Sequence, residues 1–251
     1  MMSPPGYAYR YALYLAPPAP WRDVGSRWLG RCADTGRDLP RADGSDHRLH
    51  AWTEAPRFYG LHATLKAPLR LASGTSPSSL DQAVRKLALA CSPFDVRLER
   101  RCLRGFLAWC LAEGEPGNQQ MQELSEAAVA SLDGYRAPAS EAERARRNAH
   151  PMAPEEQAML AKWGYPYAFD TFTFHITLTG KLDAEALAQA DRLFAHNAGD
   201  DLPEVMPVSS VSLYVQPVEG AAFVAARHYG FDGSIRDAVG APFLSADSAA
   251  S

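Results

Sequence analysis

The chain has 251 residues, 47% of them apolar, a formal net charge of −4 and four cysteines. That length suffices for one large domain or two small lobes. The acidic balance argues against a protein built to grip long nucleic acid, and no apolar run reaches the roughly 18 residues of a membrane-spanning helix. Cys32, Cys91, Cys102 and Cys110 show no C-x-x-C spacing, so neither a zinc site nor a disulfide framework is expected. No signal peptide is read at the N-terminus, and reduced thiols fit a cytoplasmic protein.

In chain order, residues 7–15 are rich in aromatics and predict a strand, ended by Pro17, Pro18 and Pro20. Residues 21–31 predict a helix with Pro20 at its start. Residues 34–57 carry Gly, Asp, Pro and Arg without a period and are expected to form a loop. A strand follows around His62, closed by Pro68 and Gly74. Residues 76–91 predict an amphipathic helix with Leu80, Val84, Leu87 and Cys91 on one face and Ser78 or Ser79 as cap. Residues 94–100 and 103–112 predict strands, with Gly105 marking a bend. A helix is expected over 117–132, shorter helical pieces over 140–147 and 154–163, and a second strand around His175. Residues 183–196 predict a helix, 208–216 and 221–229 a hairpin, and 245–251 a disordered tail.

The two strands around the histidines carry the same pattern, His62-Ala63-Thr64-Leu65 and His175-Ile176-Thr177-Leu178. Two chance copies of His-x-[Ser/Thr]-Leu in a chain of this size are expected on the order of one per cent of the time or less, so the repeat is read as functional. Residues i and i+2 of a strand share a face, roughly 6–7 Å apart. Each copy therefore sets an imidazole beside a hydroxyl, with apolar residues on the opposite face. The order strand, helix, strand, strand follows both copies, at an offset of 113 residues. This weak duplication predicts an α+β fold of two pseudo-symmetric lobes, each an antiparallel sheet with helices outside, whose sheets meet at the motifs across a cleft. The lobes are expected over 1–133 and 172–240, with an inserted helical connector over 134–171, a tail over 241–251, and an N-terminal strand able to pair across lobes.

Paired H-x-[ST]-L motifs on strands of two such lobes resemble the 2H phosphoesterase superfamily, and both motifs match in full. The longer flanks resemble one branch of it, found in operons for phosphonate breakdown by carbon–phosphorus lyase. These flanks are YG-x-HATLKAP from Tyr59, the segments over 10–18, 26–31 and 140–147, WGYPY from Trp163, and FxFHxTLTG from Phe172. The resemblance spans roughly residues 7–231. It implies phosphodiester chemistry on cyclic or linear phosphodiesters, or the reverse ligation, without metal or cofactor.

The residues support that chemistry independently. Opening a phosphodiester needs one proton removed from the nucleophile and one delivered to the leaving oxygen, and histidine suits both tasks. In-line displacement requires the two groups on opposite sides of phosphorus. His62 and His175 are the expected catalytic pair, with acid and base roles unassigned. Thr64 and Thr177 are the expected donors to the phosphoryl oxygens. Lys66, two residues beyond Thr64, is expected on the same face as an added positive charge. Tyr14, Tyr59 and Tyr167 are further candidates for substrate contact, as are Arg144 and Arg147, which share a helix face. Each has a plainer alternative as packing or as a solvated surface group. His47, His50, His150, His196 and His228 are expected mainly at the surface. The expected partner is a small phosphate ester bound by a monomer. RNA-end processing, as cyclic phosphodiesterase or 2′-5′ ligase, and a non-catalytic phosphate- or partner-binding module are the competing readings. A metal hydrolase fits poorly, since no carboxylate stands at ligand spacing to either motif.

Overall fold

The computed structural model describes residues 6–41, 47–140, 152–198 and 202–245. Among these, nine strands form one antiparallel sheet in the order β6-β3-β4-β5-β2-β1-β7-β8-β9. The strands are β1 (Arg10–Leu15), β2 (Ala63–Leu69), β3 (Phe94–Leu103), β4 (Phe106–Leu111), β5 (His175–Thr177), β6 (Val205–Val208), β7 (Ser210–Gln216), β8 (Val224–Gly230) and β9 (Ile235–Asp237). Six α-helices accompany them: α1 (Trp21–Leu29), α2 (His47–Tyr59), α3 (Pro77–Leu89), α4 (Gly117–Leu132), α5 (Pro154–Trp163) and α6 (Ala184–Ala198). The α+β class is as expected. No helix among the described residues is long and apolar enough to cross a membrane.

The two motif strands are neighbours at the middle of the sheet, joined through the single pair Ala63↔Ile176. The expected lobes are therefore two halves of a continuous sheet. Each half mixes early and late strands. The β3–β4 hairpin, which follows the first motif, flanks the second motif strand through Trp109↔Ile176. The β7–β8 hairpin, which follows the second motif, joins the first through β1. A division of the chain at residues 133 and 172 thus does not coincide with the midline of the sheet.

Alternation sorts the sheet's two faces. Ala63, Leu65, Leu13, Trp109 and Ile176 point to the main core, which α3, α4 and α6 cover. The motif histidines and threonines point to the other face and are half-buried. Helix α3 begins at Ser76, whose hydroxyl accepts from the Ser79 backbone while the Ser79 hydroxyl accepts from the Ser76 N–H. Trp28 and Trp109 pack edge-on against Phe194, and Trp28 Nε1 donates to Leu178 O at 2.8 Å. This cluster pins the end of β5 to the helical layer.

Three expectations are corrected. First, residues 47–59 are helical, where a loop was expected. Leu49, Trp52, Thr53 and Pro56 form its buried face at helical spacing, and a proline with many charges masks the period. His47 and His50 accordingly lie on α2. Second, Lys66 does not share a face with Thr64. Thr64 pairs with Tyr14 but Lys66 pairs with Leu13, leaving Leu65 as an extra residue in a β-bulge. The bulge turns Lys66 to the core face, where its side chain is 3% exposed and Nζ bonds Asp133 Oδ1 at 2.7 Å and Val129 O at 3.2 Å. Third, His228 is 8% exposed. Its Nδ1 lies 2.7 Å from Ser212 Oγ and its Nε2 3.1 Å from Asp34 Oδ1.

Burial alone would push the Asp133 carboxyl up, but the bonds from Arg136 and Lys66 together hold it below its ordinary value. The ion pair is thus formed at neutral pH, and its contribution is lost as pH falls through the carboxylate range. Asp133→Ala strands an ammonium in apolar surroundings and should cost about 3 kcal/mol, whereas Lys66→Met should be close to neutral. Urea unfolding at pH 7 separates the two, and equal losses would contradict the assignment of Lys66 to the core.

Candidate active site

The pair Ala63↔Ile176 runs antiparallel, which sets the register of the functional residues. Continued one step each way, it places His62 opposite Thr177 and Thr64 opposite His175. Each histidine thus faces the threonine of the other motif, and the two histidines lie on a diagonal. For a regular ladder that diagonal spans about 7–8 Å between Cα atoms, room for one phosphoryl group between two imidazoles. This register sets the four side chains on one face at the middle of the sheet.

Both imidazoles are held the same way. His62 Nδ1 lies 2.8 Å from Gly60 O, and His175 Nδ1 lies 2.7 Å from Thr173 O. A carbonyl oxygen only accepts, so each Nδ1 carries the proton and each Nε2 presents a lone pair. The carbonyl at i−2 is supplied differently in the two copies. Gly60 follows the C-terminus of α2 with φ 78°, where a Cβ would meet the Ala33 Cβ at 2.7 Å; glycine is required there. Thr173 follows a 3₁₀ turn over Phe169–Thr171. Just past strand β5 the Thr179 hydroxyl, fully buried, accepts from the Leu107 N–H at 2.9 Å.

Burial lowers both histidines. His62 is pushed down to about 4, by burial first and then by proximity to His175, against the raising effect of its bond to Gly60. His175 is lowered by burial and by the Arg104 charge, against its bond to Thr173. Both imidazoles are therefore neutral at pH 7 in the free protein.

The surroundings differ between the two sides. Tyr14, expected to touch substrate, is 1% exposed and stacks on the far side of His62, with ring centroids 3.8 Å apart and planes at 25°. Buried against that imidazole, it has no exposed face to offer a substrate. Tyr59 is 38% exposed at the rim, stacked on Phe223, with its ring 6.1 Å from His62. On the other side, Phe106 lies 5.5 Å from the His175 ring. Tyr167 packs edge-on against Tyr165 and lies under the Arg104 guanidinium. Arg144 and Arg147 lie outside the described residues. Lys66 is not part of the site.

Two residues near the site were not among the expected ones. The Tyr165 hydroxyl is within hydrogen-bonding reach of Thr64, and burial pushes its pKa up. Arg104 sits at the tip of the β3–β4 turn, close enough to act on His175. The signal for Tyr165 was the aromatic run after Trp163. Arg104 had none, because its proximity depends on β4 pairing with β5. Among the described residues, no three His, Cys, Asp or Glu side chains are grouped as a metal would require.

The fold and site together define an α+β protein in which two His-x-Thr strands abut at the middle of one sheet. The chain belongs to the family described as "Protein of unknown function (DUF1045)", whose model matches residues 64–224. It is 36% identical over 221 residues to a protein of Laribacter hongkongensis (strain HLHK9) named ribose 1,5-bisphosphate phosphokinase PhnN, covering 87% of this chain and 51% of that one. A protein of Janthinobacterium sp. (strain Marseille) with the same name is 30% identical over 236 residues, covering 89% and 51%. The chain thus spans about half the length of these curated relatives. The solved structure of Kluyveromyces marxianus Usb1 aligns with 88% of this chain and 99% of its own, at 14% identity and a TM-score of 0.37.

A histidine whose native pKa lies below its unfolded value makes the native state lose stability as pH falls between the two. For His62 that window runs from the ordinary value near ~6.5 down to about 4. Tyr14→Ala admits water behind the ring and should raise the His62 pKa toward its ordinary value while leaving His175 nearly in place. Titration of both imidazoles by NMR checks this; an unmoved His62 would show that the stacked ring does not control it.

Proposed function

We propose that this chain is a phosphodiesterase that opens a small cyclic phosphate by general acid/base catalysis, with His62 and His175 as the proton-transfer pair. The observation that carries the reading is the antiparallel apposition of the motifs, with both Nδ1 protons committed to backbone carbonyls and neither Nε2 hydrogen-bonded among the described residues. A phosphoryl group between them meets one imidazole on the side of the attacking water and the other on the side of the leaving oxygen. Thr64 and Thr177, one from each motif, donate to the non-bridging oxygens. Water adds to phosphorus as one Nε2 takes its proton; the phosphorus–oxygen bond of the ring breaks as the other histidine, protonated, gives a proton to the departing oxygen. The bound phosphodiester anion favours the single protonated imidazole that the step requires. The near-equivalence of the two sides lets the roles exchange with reaction direction. The mechanism uses no metal and no cofactor.

The relatives' name supports a substrate class. Kinases with a Walker loop cradle phosphates with G-x-x-x-x-G-K-[ST], and that pattern does not occur in this sequence. We assign the kinase chemistry in the name to the half of those relatives that this chain does not match. A phosphate bridging O1 and O2 of ribose 5-phosphate, hydrolysed at the bond to O2, yields ribose 1,5-bisphosphate, the compound in that name. The reading is therefore a ribosyl cyclic phosphate as substrate, in phosphonate breakdown.

Hydrolysis of ribosyl 1,2-cyclic phosphates, followed by phosphorus NMR, tests this. Activity should persist in excess chelator, and His62→Ala and His175→Ala should each lower kcat/KM at least ~10²-fold. Activity abolished by chelator would refute the metal-free mechanism, and full activity in either variant would refute the shared site.

A further inference from the structure

Arg104 and Gly105 form the two-residue turn between the paired residues Leu103 and Phe106. Both have positive φ, 50° and 88°. Such turns select Asn-Gly, Asp-Gly or Gly-Gly, because the first position is left-handed as well as the second. An arginine there is strained. Its side chain is exposed, so burial of that side chain does not offset the strain. What the position provides is a charge at a fixed place. The guanidinium carbon lies 4.3 Å over the Tyr167 ring, the shortest cation–aromatic contact among the described residues. The arginines of the preceding strand β3 all have carboxylate partners: Arg97 pairs with Glu115 and Glu204, Arg100 with Asp191, and Arg101 with Glu99 and Glu113. Among the described residues, no carboxylate lies within ion-pair distance of Arg104. Phe106, which closes the turn, lies 5.5 Å from the His175 ring, so the Arg104 charge stands near His175 and Tyr165.

We propose that Arg104, steadied on Tyr167 on the His175 side of the motif pair, binds a second phosphate of the substrate, a terminal phosphate monoester distinct from the phosphodiester held between His62 and His175. This rests on the reading of the seam as a phosphodiesterase site. It extends that reading by making Arg104 the residue that selects phosphorylated over unphosphorylated ribosyl cyclic phosphates. A guanidinium matches a phosphate monoester with two parallel N–H donors. Stacking on Tyr167 reduces the freedom lost when those bonds form.

The test measures kcat/KM for ribose 1,2-cyclic phosphate with and without a 5-phosphate. The quantity read is the ratio of the two within each protein, which cancels any effect of Arg104 on His175. The wild type should prefer the 5-phosphorylated compound by about 10- to 100-fold. Arg104→Asn suits the left-handed turn, so it should fold with an equal or higher Tm, while its ratio falls to within about threefold of unity. Arg104→Lys should fall between, since it keeps the charge without the fork. An unchanged ratio in Arg104→Asn overturns the proposal. Calorimetric binding of ribose 5-phosphate, with ribose as control, separates this outcome from failure of the catalytic reading. If the wild type hydrolyses neither compound yet binds ribose 5-phosphate, and Arg104→Asn does not, the subsite stands and the phosphodiesterase reading falls. No binding to the wild type, or equal binding to both proteins, overturns the subsite.

Discussion

The pair Ala63↔Ile176 joins two halves of the sheet that otherwise have separate neighbours, β1, β7, β8 and β9 on one side and β4, β3 and β6 on the other. Its two side chains are 1% and 0% exposed and point into the core, so the residues on either side of them must point out of it. The apolar residue in the middle of each motif thereby sets the direction of the histidine before it and the threonine after it. A one-residue slip of either strand would bury its own histidine and threonine and expose its Ala63 or Ile176. The core therefore enforces the register, and the register assembles the site.

The repeat was legible in the sequence because strand alternation is local: His62 and Thr64 share a face whatever surrounds them. The helix over Gly117–Leu132 was legible for the same kind of reason. What depends on distant pairing was not. Lys66 reads as a neighbour of Thr64 at i+2, and only the register against β1, which holds Leu65 as an extra residue, turns it inward. Arg104 is 71 residues from His175 in sequence and comes near it because the β3–β4 hairpin packs beside the other motif's strand. Helix α2 was hidden by its composition, although Leu49, Trp52 and Pro56 mark its buried face. His228 looked like an ordinary strand histidine, yet Ser212 on β7 and Asp34 on the loop after α1 take both of its ring nitrogens.

The electrostatics of the site follow from the same layout. Two imidazoles half-buried on one face, each already donating from Nδ1 to a carbonyl, are neutral until something anionic arrives. A phosphodiester brings that charge. In the proposed mechanism the substrate thus completes the acid/base pair, protonating one histidine while the other remains a base. Tyr14 behind His62 and Arg104 beside His175 make the two sides chemically unequal, although the motifs are the same.

The central claim is that His62 and His175 act on one phosphoryl group as a unit. The direct measure is a double-mutant cycle on the hydrolysis of a ribosyl cyclic phosphate, comparing His62→Ala, His175→Ala and the double variant by kcat/KM. Residues that work as a unit give a double variant about as slow as the slower single one. A double variant whose loss equals the product of the two single losses would mean that the histidines act independently, and would contradict the account.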